Sequence, residues 1–343
     1  MKRAHVYRGL ISAALVLAMS AFGVGVFHAA GYLKSTQAHV QRPTETAGPS
    51  LPGTVFVVQG GAIYRYQKGR FSQVTSEAGW MQPAPDPNGS RLVAVRREAN
   101  VSDLYLMDRY GRVQAQLTHD SSPAIEGNHW AFYPRFSPDG NRIFYDYDPK
   151  DPYNSFRVDL AIFASPVQPP AAGSVQWTYP NQYTGGDVTP VPLKGGGLVY
   201  TRYSIDDQSK VHSQVWYQAR PGLLGTALTD PAADCLQPAV SPDERQVAMV
   251  CTNGQPQSAE LTIAPLFAGT LSLGAKTVLV RGQLVASPSF APDGKSVAYL
   301  APNAPGGGFQ LWTVAVGPST AFTPTRISST LDLDALSAPV WIS

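Results

Sequence analysis

The sequence predicts an all-β protein: a six-bladed β-propeller of four-stranded antiparallel blades, preceded by one N-terminal transmembrane helix. Three observations carry this reading. A proline marks the opening strand of each repeat, at Pro83, Pro134, Pro190, Pro238, Pro288 and Pro339, with spacings of 51, 56, 48, 50 and 51 residues. A period near fifty belongs to propellers and solenoids. The array starts without an opening strand and stops just after one, so each end completes the other. Ahead of the array, a basic tip precedes a long apolar run.

The N-terminus sets the compartment. Lys2, Arg3 and Arg8 precede a mostly apolar stretch from Gly9 to Leu33, in which His28 is the one residue able to carry charge near neutral pH. As a helix of about 1.5 Å per residue this stretch is about 37 Å long, more than the roughly 30 Å hydrocarbon core. The basic tip then stays in the cytoplasm and the remainder crosses. A cleaved signal peptide is the alternative. Its small-x-small sites, Ala18-Met19-Ser20 and Ala21-Phe22-Gly23, fall inside the run, which favours an uncleaved single-pass anchor at residues 1–33. No cysteine follows the run, so a lipoprotein anchor is excluded. The expected location is the cell membrane, with the propeller outside the cytoplasm. Residues 34–53 are polar, with Pro43, Pro49 and Pro52, and read as a linker.

From residue 54 to 343 the chain repeats itself. The plainest unit is FSPDGNRIFY, Phe136 to Tyr145; it recurs as FAPDGKSVAYL from Phe290 and as VSPDERQVAMV from Val240. Looser copies begin at Pro85 and Pro192. In the plain unit a short apolar strand reverses through a tight turn. Pro138 presets φ, Asp139 bonds the local backbone and Gly140 accepts positive φ. Pro292, Asp293 and Gly294 repeat this turn, and Pro242 and Asp243 repeat it with Glu244 in place of glycine. An alternating strand such as Leu104 to Asp108 and an outer strand such as Lys276 to Val280 complete four strands per unit, with no helical periodicity. The first unit begins directly with TVFVVQ at Thr54 and the chain closes on SAPVWIS, Ser337 to Ser343. That tail is expected to supply the innermost strand of the first blade, which removes exposed sheet edges.

These units resemble the repeats of the TolB-type propeller family, whose hallmark is an aromatic-led SPDG turn followed by an apolar strand. The resemblance covers about residues 54 to 343 and is most specific at Phe136 to Gly140 and Phe290 to Gly294. It implies a six-bladed propeller outside the cytoplasm that works through protein contacts. That family's periplasmic translocation protein carries an additional α/β domain ahead of its propeller, where this chain has the anchor and linker.

The two cysteines, Cys235 and Cys251, flank the turn of the fifth unit. If Ser241 faces Arg245 across that turn, the register places the cysteines directly opposite each other, within reach of a disulfide. A structural disulfide fits an oxidising compartment; two buried thiols are the alternative.

The composition narrows the function. The formal net charge is +2 and charged residues are 15% of the chain, so there is no basic stripe for nucleic acid. None of the six histidines has a neighbour at metal-ligand spacing, and there is no G-x-S-x-G elbow. His119 and His129 fall in the segment joining blades two and three and read as solvated loop. The insertion Asp146 to Phe156 is the most unusual stretch. Asp146, Asp148, Asp151 and Asn154 offer oxygen ligands of the kind Ca²⁺ takes, but the EF-hand spacing and closing Glu are missing. The plainer reading is a polar loop held by Pro149 and Pro152. Tyr145, Tyr147, Tyr153 and Phe156 add aromatic surface of the kind binding patches favour. The hairpin Ser204 to Lys210, with Asp206 and Asp207, occupies the equivalent place one blade on. The candidate binding rim is therefore Asp146, Tyr147, Asp148, Asp151, Tyr153, Phe156, Asp206 and Asp207. No cofactor is expected. A monomeric propeller binding an envelope protein, peptide or glycan is the favoured function. A propeller hydrolase or lyase, with residues gathered around the axial channel, is the alternative. Carboxylates or histidines converging at the channel would favour the enzyme.

Overall fold

The structure is a computed structural model. It describes residues 48–151, 157–168, 173–180, 184–255, 259–267, 269–317 and 322–343. The anchor at 1–33 and the linker up to residue 47 lie outside the described residues. Among the described residues no helix is long and apolar enough to cross a membrane.

The described residues form six antiparallel sheets. Blade 1 consists of Val340–Ile342, Thr54–Gln59, Ala62–Gln67 and Arg70–Gln73. Blade 2 runs through Trp80–Pro85, Arg91–Arg97, Ser102–Asp108 and Val113–Gln116. Blade 3 comprises Ala131–Phe136, Arg142–Tyr147, Ala161–Pro166 and Val175–Gln176. Blade 4 has Asp187–Pro192, Leu198–Ile205, Val211–Gln218 and Thr226–Ala227. In blade 5, Cys235–Val240, Gln246–Cys251 and Glu260–Phe267 are followed by two short outer strands, Ser272–Leu273 and Thr277–Val280, which both pair with Glu260–Phe267. Blade 6 closes the set with Ala286–Phe290, Ser296–Pro302, Phe309–Ala315 and Thr325–Arg326. The helical elements among the described residues are two short 3-10 turns, Ile125–Gly127 and Pro231–Ala233.

The tail completes the first blade as expected: Thr54, Val55 and Phe56 pair with Ile342, Trp341 and Val340. The Trp341 indole also donates to the Pro52 carbonyl at 2.6 Å, and Gly48 N–H donates to Gly69 O at 2.8 Å. The last residues before the array are thus bonded to the blade they precede.

The core lies between blades rather than within one. Val93 and Val95 of blade 2 pack against Phe136, Ile143 and Tyr145 of blade 3, while Leu92 and Ala94 turn the other way onto Phe56, Val58 and Ile63 of blade 1. The same split recurs in blade 5, where Val247 and Met249 meet blade 4 while Ala248 and Val250 meet blade 6. Successive strand residues face opposite sides. A strand with a blade on each side must therefore be apolar throughout, which is why the second strands read LVAV, VAMV and VAYL.

The inner strands share one irregularity. In five blades the register slips where a polar or aromatic residue precedes the recurrent proline: at Gln82, Tyr133, Thr189, Gln237 and Ser287. Two residues there oppose one on the neighbouring strand, a β-bulge. Each of the five residues has positive φ, between 49° and 57°. The proline brings no N–H to the bulge, so one amide per bulge is left over, and it bonds to the preceding blade. Tyr133 N–H donates to Gln82 Oε1 at 2.8 Å, Thr189 N–H to Asp146 Oδ2 at 3.1 Å, Gln237 N–H to Thr201 Oγ1 at 3.0 Å and Ser287 N–H to Gln237 Oε1 at 2.8 Å. The seam uses the tail in both directions. Gln82 N–H donates to Ser337 Oγ at 3.0 Å and Trp341 N–H to Ser289 Oγ at 3.3 Å. All six joints are thereby closed.

The bulge also explains the disulfide. Cys235 and Cys251 are opposed and bonded, with Cα atoms 4.1 Å apart. The turn register differs from the expected one. Ser241 N–H donates to Gln246 O, so Gln246 and not Arg245 faces it, and Val240 pairs with Val247. The one-residue bulge at Gln237-Pro238 absorbs the difference and brings the cysteines back into line. At the turn itself, Glu244 has φ of +59° where Gly140 and Gly294 have +71° and +72°. The strained residue bonds outward: Lys194 N–H of blade 4 donates to Glu244 Oε1 at 2.6 Å.

Deleting residues 337–343 removes the closing strand and both seam bonds at once. The melting midpoint of the chain is expected to fall by roughly 10 °C or more, since several kcal/mol are lost and each is worth roughly 2–4 °C in a domain of this size. An unchanged midpoint would contradict six-bladed closure.

Candidate functional site

In an antiparallel meander, consecutive hairpins lie at alternate ends of the strands. The second-to-third-strand hairpins and the connections between blades therefore share one end, and the first-to-second-strand turns lie at the other. The expected rim residues that are described belong to the first of these ends, but in two separate groups.

The first group sits over blades 2 and 3. Tyr147 ends the second strand of blade 3, and its hydroxyl donates to Asp120 Oδ1 at 3.2 Å. Its ring stacks on His129, with centroids 5.2 Å apart. His129 Nδ1 lies 2.8 Å from the Asp148 carbonyl. A carbonyl only accepts, so Nδ1 carries the proton, and in the neutral ring Nε2 has its lone pair free. The Asp148 carboxylate is buried and paired with Lys150 at 2.9 Å, and Asp151 pairs with Arg157 at 3.2 Å. Asp146 is buried beside the axis rather than on the rim. One oxygen accepts from Thr189 and the other has no partner among the described residues. Burial pushes its carboxyl well above the usual range. These three carboxylates turn to different partners. Tyr153, Asn154 and Phe156 lie outside the described residues. Among the described residues no group of three or more His, Cys, Asp or Glu is arranged to hold a metal ion.

Sequence reasoning missed Asp120, which lies beside the exposed His119. It is 5% exposed, with Oδ2 unpartnered among the described residues. Burial, and then the negative charge of Asp103, push its carboxyl up to about 6. Also missed was an aromatic patch at the same end. Trp130 and Phe132 stack with centroids 5.7 Å apart, and the Arg97 guanidinium lies 5.8 Å from the Trp130 ring centre. All three side chains are half-buried. The signal was present in the GNHWAFY run.

The second group sits over blades 4 and 5. Asp206 accepts from the amides of Gln208 and Lys210 within its own hairpin. His212 bridges two carboxylates, with Nε2 2.9 Å from Asp206 and Nδ1 3.2 Å from Asp234. Its bond to Asp206, followed by Asp234, raises its pKa above the ordinary histidine value. Asp206, Lys210, His212, Gln214 and Asn253 line an open cleft of about 490 Å³. Asp207 is exposed in the same hairpin.

The axial channel is the third feature. Its narrow part is lined by Tyr133, Arg135, Thr189, Gln237 and Ser287, together with prolines, Val191 and Ala338. Among the described residues lining this narrow part there is no carboxylate and no histidine. Around Asp146, Arg202 and Asp187 form a two-pronged ion pair at 2.6 and 2.7 Å.

Asp120 offers a pH test. Its folded-state pKa of about 6 lies above the unfolded value of about 3.9, so the folded state holds the proton more tightly. Stability is therefore greatest below the unfolded pKa and declines as pH rises toward and through 6. Asp120→Asn keeps an oxygen for Tyr147 and cannot ionise. The difference in melting midpoint, variant minus wild type, is expected to be near zero at pH 4 and positive at pH 7, worth up to about 3 kcal/mol. A difference independent of pH would show that Asp120 does not titrate there.

No family model and no curated protein matches the sequence. Solved structures do match the fold. TolB from Acinetobacter baumannii superposes at a TM-score of 0.61 with 16% identity, over 86% of this chain and 68% of that one. A putative TolB from Agrobacterium tumefaciens gives 0.57 and 14%, over 85% and 95%. XC5397, a gluconolactonase from Xanthomonas campestris, gives 0.51 and 13%, over 85% and 91%. At these identities the likeness is one of fold: this chain is a six-bladed all-β propeller of the shape found both in TolB-type proteins and in a propeller enzyme.

Proposed function

We propose that this protein is a binding module, a propeller tethered to the membrane by residues 1–33 and displayed outside the cytoplasm, whose loop end engages a partner protein. The observation that carries this reading is the patch formed by Arg97, Trp130 and Phe132. Arginine and tryptophan anchors standing half-buried on a rigid frame are the chemistry of interface hot spots. The Cys235–Cys251 disulfide supports an oxidising compartment. The TolB likeness supports protein contact as the mode of action, and a tether raises the effective concentration of such a module at the surface.

A second reading has its own observation. Asp120, with its carboxyl near 6 and its neighbours Tyr147 and His129, is the kind of group a general acid or base requires. A hydrolase or lyase of propeller type would use it at the loop end.

The test is affinity capture from envelope extract by the full chain, compared with Trp130→Ala and with Lys295→Glu at the opposite end. Any partner captured by wild type is expected to bind the Trp130 variant about tenfold more weakly, as for a hot-spot residue, and the Lys295 variant unchanged. Equal losses in both variants, or in neither, would remove the loop end as the binding face.

A further inference from the structure

We propose that the axial channel holds one halide ion between Arg135 and Gln237. This rests on the channel alone and is independent of the function proposed for the loop end. Arg135 lines the narrow part of the channel, half-buried, and makes no hydrogen bond or ion pair among the described residues. Asp146 attracts it but forms no ion pair with it; that carboxylate is fully buried and bonded to Thr189 N–H. Asp187 is committed to Arg202. A guanidinium held in a half-buried place without an ion-pair partner is costly, and burial pushes Arg135 down from its ordinary range against the attraction of the more distant Asp146.

The second donor follows from the ring of bulges. Gln82 and Gln237 occupy equivalent positions, and each accepts the next blade's amide through Oε1. An atom that accepts from N–H must be the oxygen, so the amide orientation of both is determined. Gln82 uses its nitrogen to donate to Leu336 O at 3.1 Å. Gln237 Nε2 has no acceptor among the described residues, and Gln237 lines the same space as Arg135. Thr189 Oγ1 and Ser287 Oγ are already committed, to Thr201 Oγ1 and to the Ala335 carbonyl. Two unspent donors, one of them a cation, thus face one small cavity with no carboxylate in its lining. Its volume is about 20 Å³. A space that admits a water-sized sphere also admits a single chloride-sized ion. The prolines and Val191 complete a wall that supplies no competing acceptor side chain.

The experiment is thermal unfolding of the full chain in detergent at constant ionic strength, with chloride exchanged for the bulky anion gluconate, for wild type, Arg135→Gln and Arg135→Lys. Once chloride exceeds its dissociation constant, wild type is expected to gain roughly 3–5 °C for each tenfold rise in chloride. Arg135→Gln is expected to lose that gain and Arg135→Lys to keep part of it. Equal chloride responses in wild type and Arg135→Gln overturn the proposal. Should Arg135→Gln fail to fold, bromide-soaked crystals of the wild type decide: an anomalous peak in contact with the Arg135 guanidinium supports the site, and a channel without one overturns it.

Discussion

At five of the joints between blades, an amide expelled from its own sheet by a β-bulge is the group that grips the neighbouring blade. The arrangement answers a specific problem. An inner strand near the axis must bend, and a bulge bends it, but a bulge leaves backbone donors without partners. Placing proline at the second bulge position removes one of those donors outright. The remaining N–H belongs to a residue at positive φ, a conformation that costs about 1–3 kcal/mol outside glycine. Leaving that N–H buried and unpaired would cost a similar amount again. The side chains of Ser337, Gln82, Asp146, Thr201 and Gln237 prevent this. Because each acceptor belongs to the blade before, no blade satisfies its own bulge, and the six are stable only as a closed ring.

This constraint positions the functional features. Four of the five strained residues line the channel, so its chemistry is set by whatever is left unspent there, namely Arg135 and half of Gln237. The hairpins and connections stand outside the ring. Aromatic and charged residues such as Trp130, Arg97, Tyr147 and His212 can gather there without disturbing closure. Carboxylates that approach the axis are drawn into structural duty instead. Asp146 serves a joint and Asp187 neutralises Arg202, and neither is left to act on a ligand at the rim.

Much of the fold was legible because it is periodic. The recurrent prolines, the apolar second strands and the complementary ends all follow from one repeated unit, and the strand supplied by Val340 to Ile342 is where that reading placed it. The site was less legible. Asp146 and Asp148 look like loop carboxylates in a run of aspartates and prolines, yet the assembled ring buries both, a long-range outcome that local polarity does not report. The cysteine pairing was inferred through a turn register one residue out, and the unseen bulge restored it. The signal for that bulge stood beside the prolines themselves: a hydrogen-bonding or aromatic residue precedes each of the first five, where a strand interior would ordinarily be apolar. Asp120, Arg97 and Trp130 come from different segments, and only the assembled ring brings them to one end.

Native-state hydrogen exchange tests the closed-ring account most directly. If the joints hold only together, the amides of Gln82, Tyr133, Thr189, Gln237, Ser287 and Trp341 should all exchange at one opening free energy, equal to that of global unfolding. One or more of these amides exchanging through a local opening well below the global value would contradict it, showing that a blade can part from its neighbour while the rest of the ring stands.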